Sequence, residues 1–175
     1  MARHTAFEIL YRDYYHRVFG LCRRLLGSYE LAEDATQETF MRAYKNFGKF
    51  DVEQPFWQWI ASIANNYCID LLRKRSRSAA LFGDETAEYD ALPSEDLPVL
   101  TEMVVAEDAS QVHAAIESLA DKYRVPVVLA YFQQESYSTI AERLDTSTNH
   151  VGVLLLRARQ HLKTALGRDA SEATR

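Results

Sequence analysis

From Thr5 to Leu72, apolar side chains recur every three or four residues with few interruptions. That spacing constrains the fold more than any other feature, because it places one apolar stripe on each of a series of helices. Phe7, Leu10/Tyr11, Tyr14, Val18, Leu21/Cys22 and Leu25 form the first stripe. Thr5-Ala6-Phe7-Glu8 has capping-box spacing, which predicts Thr5 as the N-cap. Gly27 is the expected stop and Ser28 the next cap. A second helix then runs to about Phe47, with acids early (Glu30, Glu33, Asp34) and bases late (Arg42, Lys45), the order the helix dipole favours. Residues 48–55 read as a loop. Pro55 suits the start of a third helix, with Phe56, Ile60, Ile63/Ala64, Tyr67 and Leu71 inward and a cationic end at Arg73, Lys74, Arg75 and Arg77.

The rest of the chain divides in two. Residues 79–109 hold nine acids and no Lys or Arg, with Gly83, Pro93 and Pro98 and no sustained period. They read as a linker with one short helix near Val99–Val105. The formal net charge is -5, but without those nine acids 20 bases face 16 acids. An acidic linker therefore masks two mildly basic modules. The second module starts near Ser110, with Val112, Ala115/Ile116 and Leu119 on one helix. Another covers 121–134, with Val125, Val128/Leu129 and Phe132 inward, and Pro126 makes it start late or bend. Tyr137–Leu144 reads as a short helix, Asp145-Thr146-Ser147 as a tight turn, and Thr148 to about Leu166 as a long helix with Val151, Leu155, Ala158 and Leu162 inward. A short helix, a tight turn and a second helix make a helix-turn-helix. The expected fold is all-α: two small helical domains joined by an acidic linker, with boundaries 1–77, 78–109, 110–167 and a tail at 168–175.

Several function classes drop out. Cys22 and Cys68 lie in apolar stripes without CxxC spacing and read as reduced core thiols. The five histidines (His4, His16, His113, His150, His161) show no metal-like clustering. No phosphate-binding Gly loop, nucleophile elbow or carboxylate pair appears, so neither enzyme activity nor a cofactor nor a metal is expected. No apolar run approaches the ~20 residues of a membrane span. The N-terminus enters an amphipathic pattern directly, so no signal peptide is expected and the cytoplasm is the expected location. What stands out instead is aromatic residues (Phe56, Trp57, Trp59) on the same helix as a cationic end. Stacking rings beside cations suit unstacked bases and their phosphates.

The motifs in order resemble the extracytoplasmic-function group of bacterial sigma factors. Residues 32–44, Ala32 to Tyr44, look like that family's polymerase-docking helix. Residues 56–66 followed by Asp70-Leu71-Leu72-Arg73-Lys74-Arg75 look like its promoter-melting helix. Ile116-Glu117-Ser118-Leu119 and Tyr137–Leu144 look like the start and the helix-turn-helix of its region four. The resemblance spans roughly residues 5–77 and 110–166. It implies core RNA polymerase and promoter DNA as partners, with an anti-sigma factor as the family's common inhibitor. On the matching positions, Asp34, Gln37, Glu38 and Arg42 would dock on the polymerase. Phe50, Asp51, Gln54, Trp57, Asn66, Arg73, Lys74, Arg75 and Arg77 would contact the minus-ten element. Trp57 and Trp59 are two apart and cannot share a helix face, so one is expected in the core, and Trp59 is the one expected to be mainly structural.

The final helix departs from the family pattern. Where members carry polar residues aimed into the major groove, this chain has Gly152, Val153 and Leu154, which cannot hydrogen-bond base edges through their side chains. Reading of a minus-thirty-five element then falls to Thr148, Asn149, His150, Arg157 and Arg159. Upstream recognition is either weak or unusual, or Val153, Leu154 and Leu156 pack on a protein or the linker. Two alternative functions stay open on these residues: a stand-alone helix-turn-helix regulator, and a helical interaction module that has lost promoter recognition.

Overall fold

The computed structural model describes residues 2–76, 81–83 and 109–167. Among these, every regular element is helical. The expected linker helix near Val99–Val105, Arg77 and the tail 168–175 lie outside the described residues. Contacts divide the chain into two units, Met1–Arg77 and Ser78–Arg175.

The first unit is a bundle of α1 (Ala2–Leu26), α2 (Tyr29–Asn46) and α3 (Phe56–Arg75), each helix packed on the other two. α1 starts upstream of the expected cap, so Thr5 is helical rather than capping. Neither Gly nor Pro interrupts Ala2-Arg3-His4, and the early turns are anchored by Phe7, whose ring meets Tyr44 and Phe47 at 5.1 and 5.2 Å. At the other end Gly27 takes φ 65 and donates to the Arg23 carbonyl at 2.9 Å. This left-handed stop favours glycine. Ser28 then caps α2, accepting from the Leu31 N–H. The order of contacts fixes direction. Phe7 meets Tyr44 while Phe19 meets Tyr29, so α1 and α2 are antiparallel. Tyr14 meets Phe56 while the Cys22 thiol neighbours the Cys68 thiol, so α1 and α3 are parallel.

The core holds Val18, Leu21, Leu25, Phe40, Ile60 and Ile69, all nearly or fully buried. Two threonines of α2 are also fully buried, and each returns its hydroxyl to a backbone carbonyl one turn back: Thr36 to Ala32 at 2.6 Å, Thr39 to Ala35 at 2.7 Å. Such bonds satisfy a buried donor inside a helix. Cys22 and Cys68 are free and buried. Its bond to Cys22, and then burial, hold the Cys68 thiol well above the ordinary range. It is a protonated core group, not a nucleophile.

α3 buries Phe56, Ile60, Ala61, Ala64, Asn65, Cys68, Ile69 and Leu72. The expected stripe through Ile63, Tyr67 and Leu71 is therefore rotated, and those three are only half-buried. α3 packs against two helices at once, and its apolar arc is wide, so periodicity alone does not set its rotation.

The second unit holds α4 (Ala109–Ser118), α5 (Asp121–Val127), α6 (Tyr137–Leu144) and α7 (Thr148–Ala165). The single helix expected over 121–134 is instead α5 followed by a π turn at Val128–Phe132. Pro126 lacks the N–H that would bond the carbonyl one turn earlier and crowds that turn. The chain widens just after it, with Gln133 N–H reaching back five residues to Val128 at 3.2 Å. Arg124, only 5% exposed, closes the α4–α5 turn by pairing with Asp121 and donating to the Leu119 carbonyl at 2.9 Å. The helix-turn-helix is punctuated as its sequence directs. Ser136 caps α6, Asp145 takes φ 52 to end it, and Ser147 caps α7 by accepting from the His150 N–H at 3.1 Å. Ile140, Leu144, Val151, Leu155, Ala158 and Leu162 point inward.

Candidate polymerase and nucleic-acid interfaces

On α2, Asp34, Gln37 and Arg42 are exposed and Glu38 is half-exposed. Separated by three, one and four residues, they lie along the side away from buried Ala32, Ala35, Phe40 and Ala43. Arg42 Nε donates to Glu38 Oε1 at 2.7 Å, and the Arg42 guanidinium lies over the Tyr67 ring of α3 at 4.7 Å. Beside this charged line runs a groove of about 530 Å³ lined by Phe7, Tyr11, Gln37, Phe40, Met41, Tyr44 and Lys45. Met41 is 53% exposed and Tyr44 42%. A cluster of exposed large apolar side chains rimmed by charge is the mark of a protein-binding surface. The sequence places Met41 and Tyr44 within the docking helix but assigns them no contact. Their i, i+3 spacing beyond Gln37 and Glu38 was the signal that they continue the same face.

The residues expected at the minus-ten element do not form one cluster. Asn66 is exposed in the middle of the open side of α3. By helical phase it shares that side with Ser62, Asp70 and Arg73. Arg73 pairs with Asp70 at 3.5 Å, while Lys74 and Arg75 are exposed at the helix end. Trp57 is not with them. It stands nine residues from Asn66, about two and a half turns, and so on the opposite side of the helix. There Arg17 of α1 lies over its indole at 3.8 Å and Tyr14 is near parallel to it, at 12° and 6.5 Å. Trp59 packs in an aromatic cluster with Phe47, Phe50 and Phe56, its centroid 4.9 Å from that of Phe50. Phe50 is accordingly half-buried in this cluster. Asp51 and Gln54 are exposed in the loop, where the Asp51 carboxylate accepts from Glu53 N–H at 3.0 Å and the Asp51 carbonyl from Gln54 N–H at 3.2 Å.

On α7, Thr148 and Asn149 are exposed at the first turn, and Arg157 and Arg159 are half-buried. His150, expected on the reading face, is instead buried, at 7% exposure. Val153 and Leu154 are buried as well, at 7% and 3%. They belong to the core of the second unit. The outward line of α7 is instead Asn149, Gly152, Leu156, Gln160 and Lys163, the positions opposite Val151, Leu155, Ala158 and Leu162. Gln160 and Lys163 were missed, although the inward stripe already implied them.

A model of sigma-70 region 2 matches residues 10–78, and a model of sigma-70 region 4 matches residues 109–162. The chain belongs to the sigma-70 family. It is 32% identical over 166 residues to the extracytoplasmic-function sigma factor SigW of Bacillus subtilis, a match covering 92% of this chain and 89% of that one. It is 31% identical over 168 residues to the sigma-H factor of Pseudomonas aeruginosa, covering 92% and 86%. The sigma factor RpoE from Bartonella quintana, solved with the anti-sigma factor NepR, superposes with a TM-score of 0.59 at 20% identity over 93% of this chain, a likeness of fold. As a sigma factor of the extracytoplasmic-function group, the protein is a non-enzymatic initiation factor that directs RNA polymerase to promoters. None of its described helices is long and apolar enough to cross a membrane.

Proposed function

We propose that the sigma factor divides its work between two helices of one bundle. α2 docks on core RNA polymerase through Asp34, Gln37, Glu38 and Arg42, and the groove at Met41 and Tyr44 extends that contact. α3 holds the non-template strand of the melted minus-ten element. Asn66 pairs with an extruded base edge through both its amide groups, and Arg73, Lys74 and Arg75 neutralise phosphates, with Arg77 continuing the cationic run. Asp51 and Gln54 border this surface from the loop. Phe50 supports it from the aromatic cluster, and Trp57 supports the bundle through α1. In the second unit, Thr148, Asn149, Arg157 and Arg159 contact the minus-thirty-five element, joined by Gln160 and Lys163. The units are residues 1–77 and 110–167, with an acidic linker at 78–109 and a tail at 168–175. The protein works in the cytoplasm, where polymerase acts, and an anti-sigma factor covering the α2 face would block docking.

The observation that carries this reading is the open side of α3, where an exposed amide and an exposed cationic end share a helix whose other side is sealed in the core. Replacing Arg73, Lys74 and Arg75 with Ala tests it through open-complex formation across a salt series. Each lost contact to single-stranded phosphate should lower the slope of log K against log salt by about 0.7, so the triple variant should lose about 2. An unchanged slope would leave these cations as a solvated helix end. The interaction-module reading rests on the Gly152-Val153-Leu154 stretch, and the burial of Val153 and Leu154 in the unit's own core weakens that support.

A further inference from the structure

We propose that Tyr67, a residue of the strand-capturing helix, is a positioning residue for the polymerase dock on α2. This rests on the docking role assigned to Arg42 above. The Arg42 guanidinium sits 4.7 Å from the centroid of the Tyr67 ring while its Nε donates to Glu38 at 2.7 Å. Arg42 and Glu38 side chains are 47% and 33% exposed. An exposed pair on one helix holds a long side chain weakly, because solvent screens the attraction and rotamer entropy opposes it. The ring supplies what the pair lacks. It is half-buried, fixed by its own helix, and attracts the cation to its face. Glu38 constrains the guanidinium edge and Tyr67 its plane, so the remaining N–H donors of Arg42 are presented in one direction. Burial and then the nearby Glu38 carboxylate push the Tyr67 hydroxyl above its ordinary pKa, in keeping with a neutral ring beside that carboxylate.

The test compares the full-length protein with Tyr67→Leu, Tyr67→Phe, Arg42→Ala and the Arg42→Ala/Tyr67→Leu double variant. Two quantities are measured: Kd for core polymerase, and open-complex yield at saturating core. Tyr67→Leu should weaken core binding about two- to fivefold while leaving the yield at saturation unchanged. Tyr67→Phe, which keeps the ring, should match the wild type. The double variant should bind no more weakly than Arg42→Ala alone. Should Leu unfold the bundle in a thermal melt, Tyr67→Met fills the same space without an aromatic face and carries the same expectation. Unchanged core affinity in Tyr67→Leu overturns the proposal. So does a fall in open-complex yield at saturating core shared by Tyr67→Phe, which would make Tyr67 part of the DNA surface. If Arg42→Ala itself binds core as tightly as the wild type, the docking assignment fails and the proposal with it.

Discussion

Arg143 donates from a single Nε to both carboxylate oxygens of Glu135, at 2.9 and 2.8 Å, with the two side chains 17% and 13% exposed. Glu135 follows the π turn, and Arg143 sits in the last turn of α6. The bond therefore ties the segment after the π turn to the first helix of the helix-turn-helix. Removing one partner costs the other a charge-assisted bond in a largely desolvated place. Glu135→Ala should destabilise the second unit by about 1.5–3 kcal/mol, read by urea unfolding. Transcription should fall at promoters with a minus-thirty-five element more than at promoters lacking one. A loss below about 0.5 kcal/mol would make the pair a surface contact in effect.

Tyr131 gives a pH prediction. Its hydroxyl is buried without a hydrogen-bond partner among the described residues. Burial first, and the neighbouring Tyr137 second, push its pKa from 10.0 up to about 12, with Arg159 opposing. The folded state thus keeps its proton where the unfolded state has lost it. Stability from this group is intact below pH 10 and declines as pH rises towards about 12. Tyr131→Phe should flatten that part of the melting-temperature profile. At neutral pH it should be neutral or stabilising by up to about 1 kcal/mol, since it deletes an unpaired buried group. A sharp loss of stability at neutral pH would mean the hydroxyl has a partner.

Asn66→Ala separates the two faces of the bundle. It should weaken binding of fork DNA carrying a single-stranded minus-ten element by about 1–3 kcal/mol, with core affinity unchanged. Fluorescence anisotropy of labelled fork DNA with the holoenzyme reads the first quantity, and competition for core reads the second. Equal weakening of both would place Asn66 in the dock instead.

Ser147→Ala removes the side-chain acceptor for the His150 N–H at the start of the recognition helix. The expected cost is about 1 kcal/mol, seen as a lower melting temperature. Ser147→Asp should recover it, because a carboxylate also accepts there and favours the helix N-terminus. No difference between Ala and Asp would show that water serves the cap equally well.

Much of the punctuation was legible because its causes are local. Gly27 and Ser28, read as a stop and a cap, act through bonds to residues within four positions, while the expected Thr5 cap gave way to an earlier start of α1, and the caps at Ser136 and Ser147 were not read. The rotation of helices about their axes was not legible where apolar residues surround the axis. In α3 the polar line Gln58, Ser62, Asn66 and Asp70 marks the open side, but the apolar arc is wide, and the two neighbouring helices decide that Trp57 turns towards Arg17. In α7 the buried arc is wide enough to take in His150, Val153 and Leu154 along with the expected stripe, and this converts an apparent loss of recognition chemistry into packing. Pro126 announced a distortion but not its form, since a late start, a bend and a π turn all relieve the same missing N–H. The Arg42–Tyr67 contact joins positions 25 residues apart on different helices, which no periodicity encodes.

Transcription with purified bacterial core polymerase on genomic fragments, with sequencing of transcript starts, tests the central claim most directly. The account predicts discrete starts that appear only when this sigma factor is added, each preceded by a shared minus-ten element, and lost when Lys74 and Arg75 are replaced by Ala. Stable association with core but an unchanged set of starts, on templates spanning the genome, would contradict it.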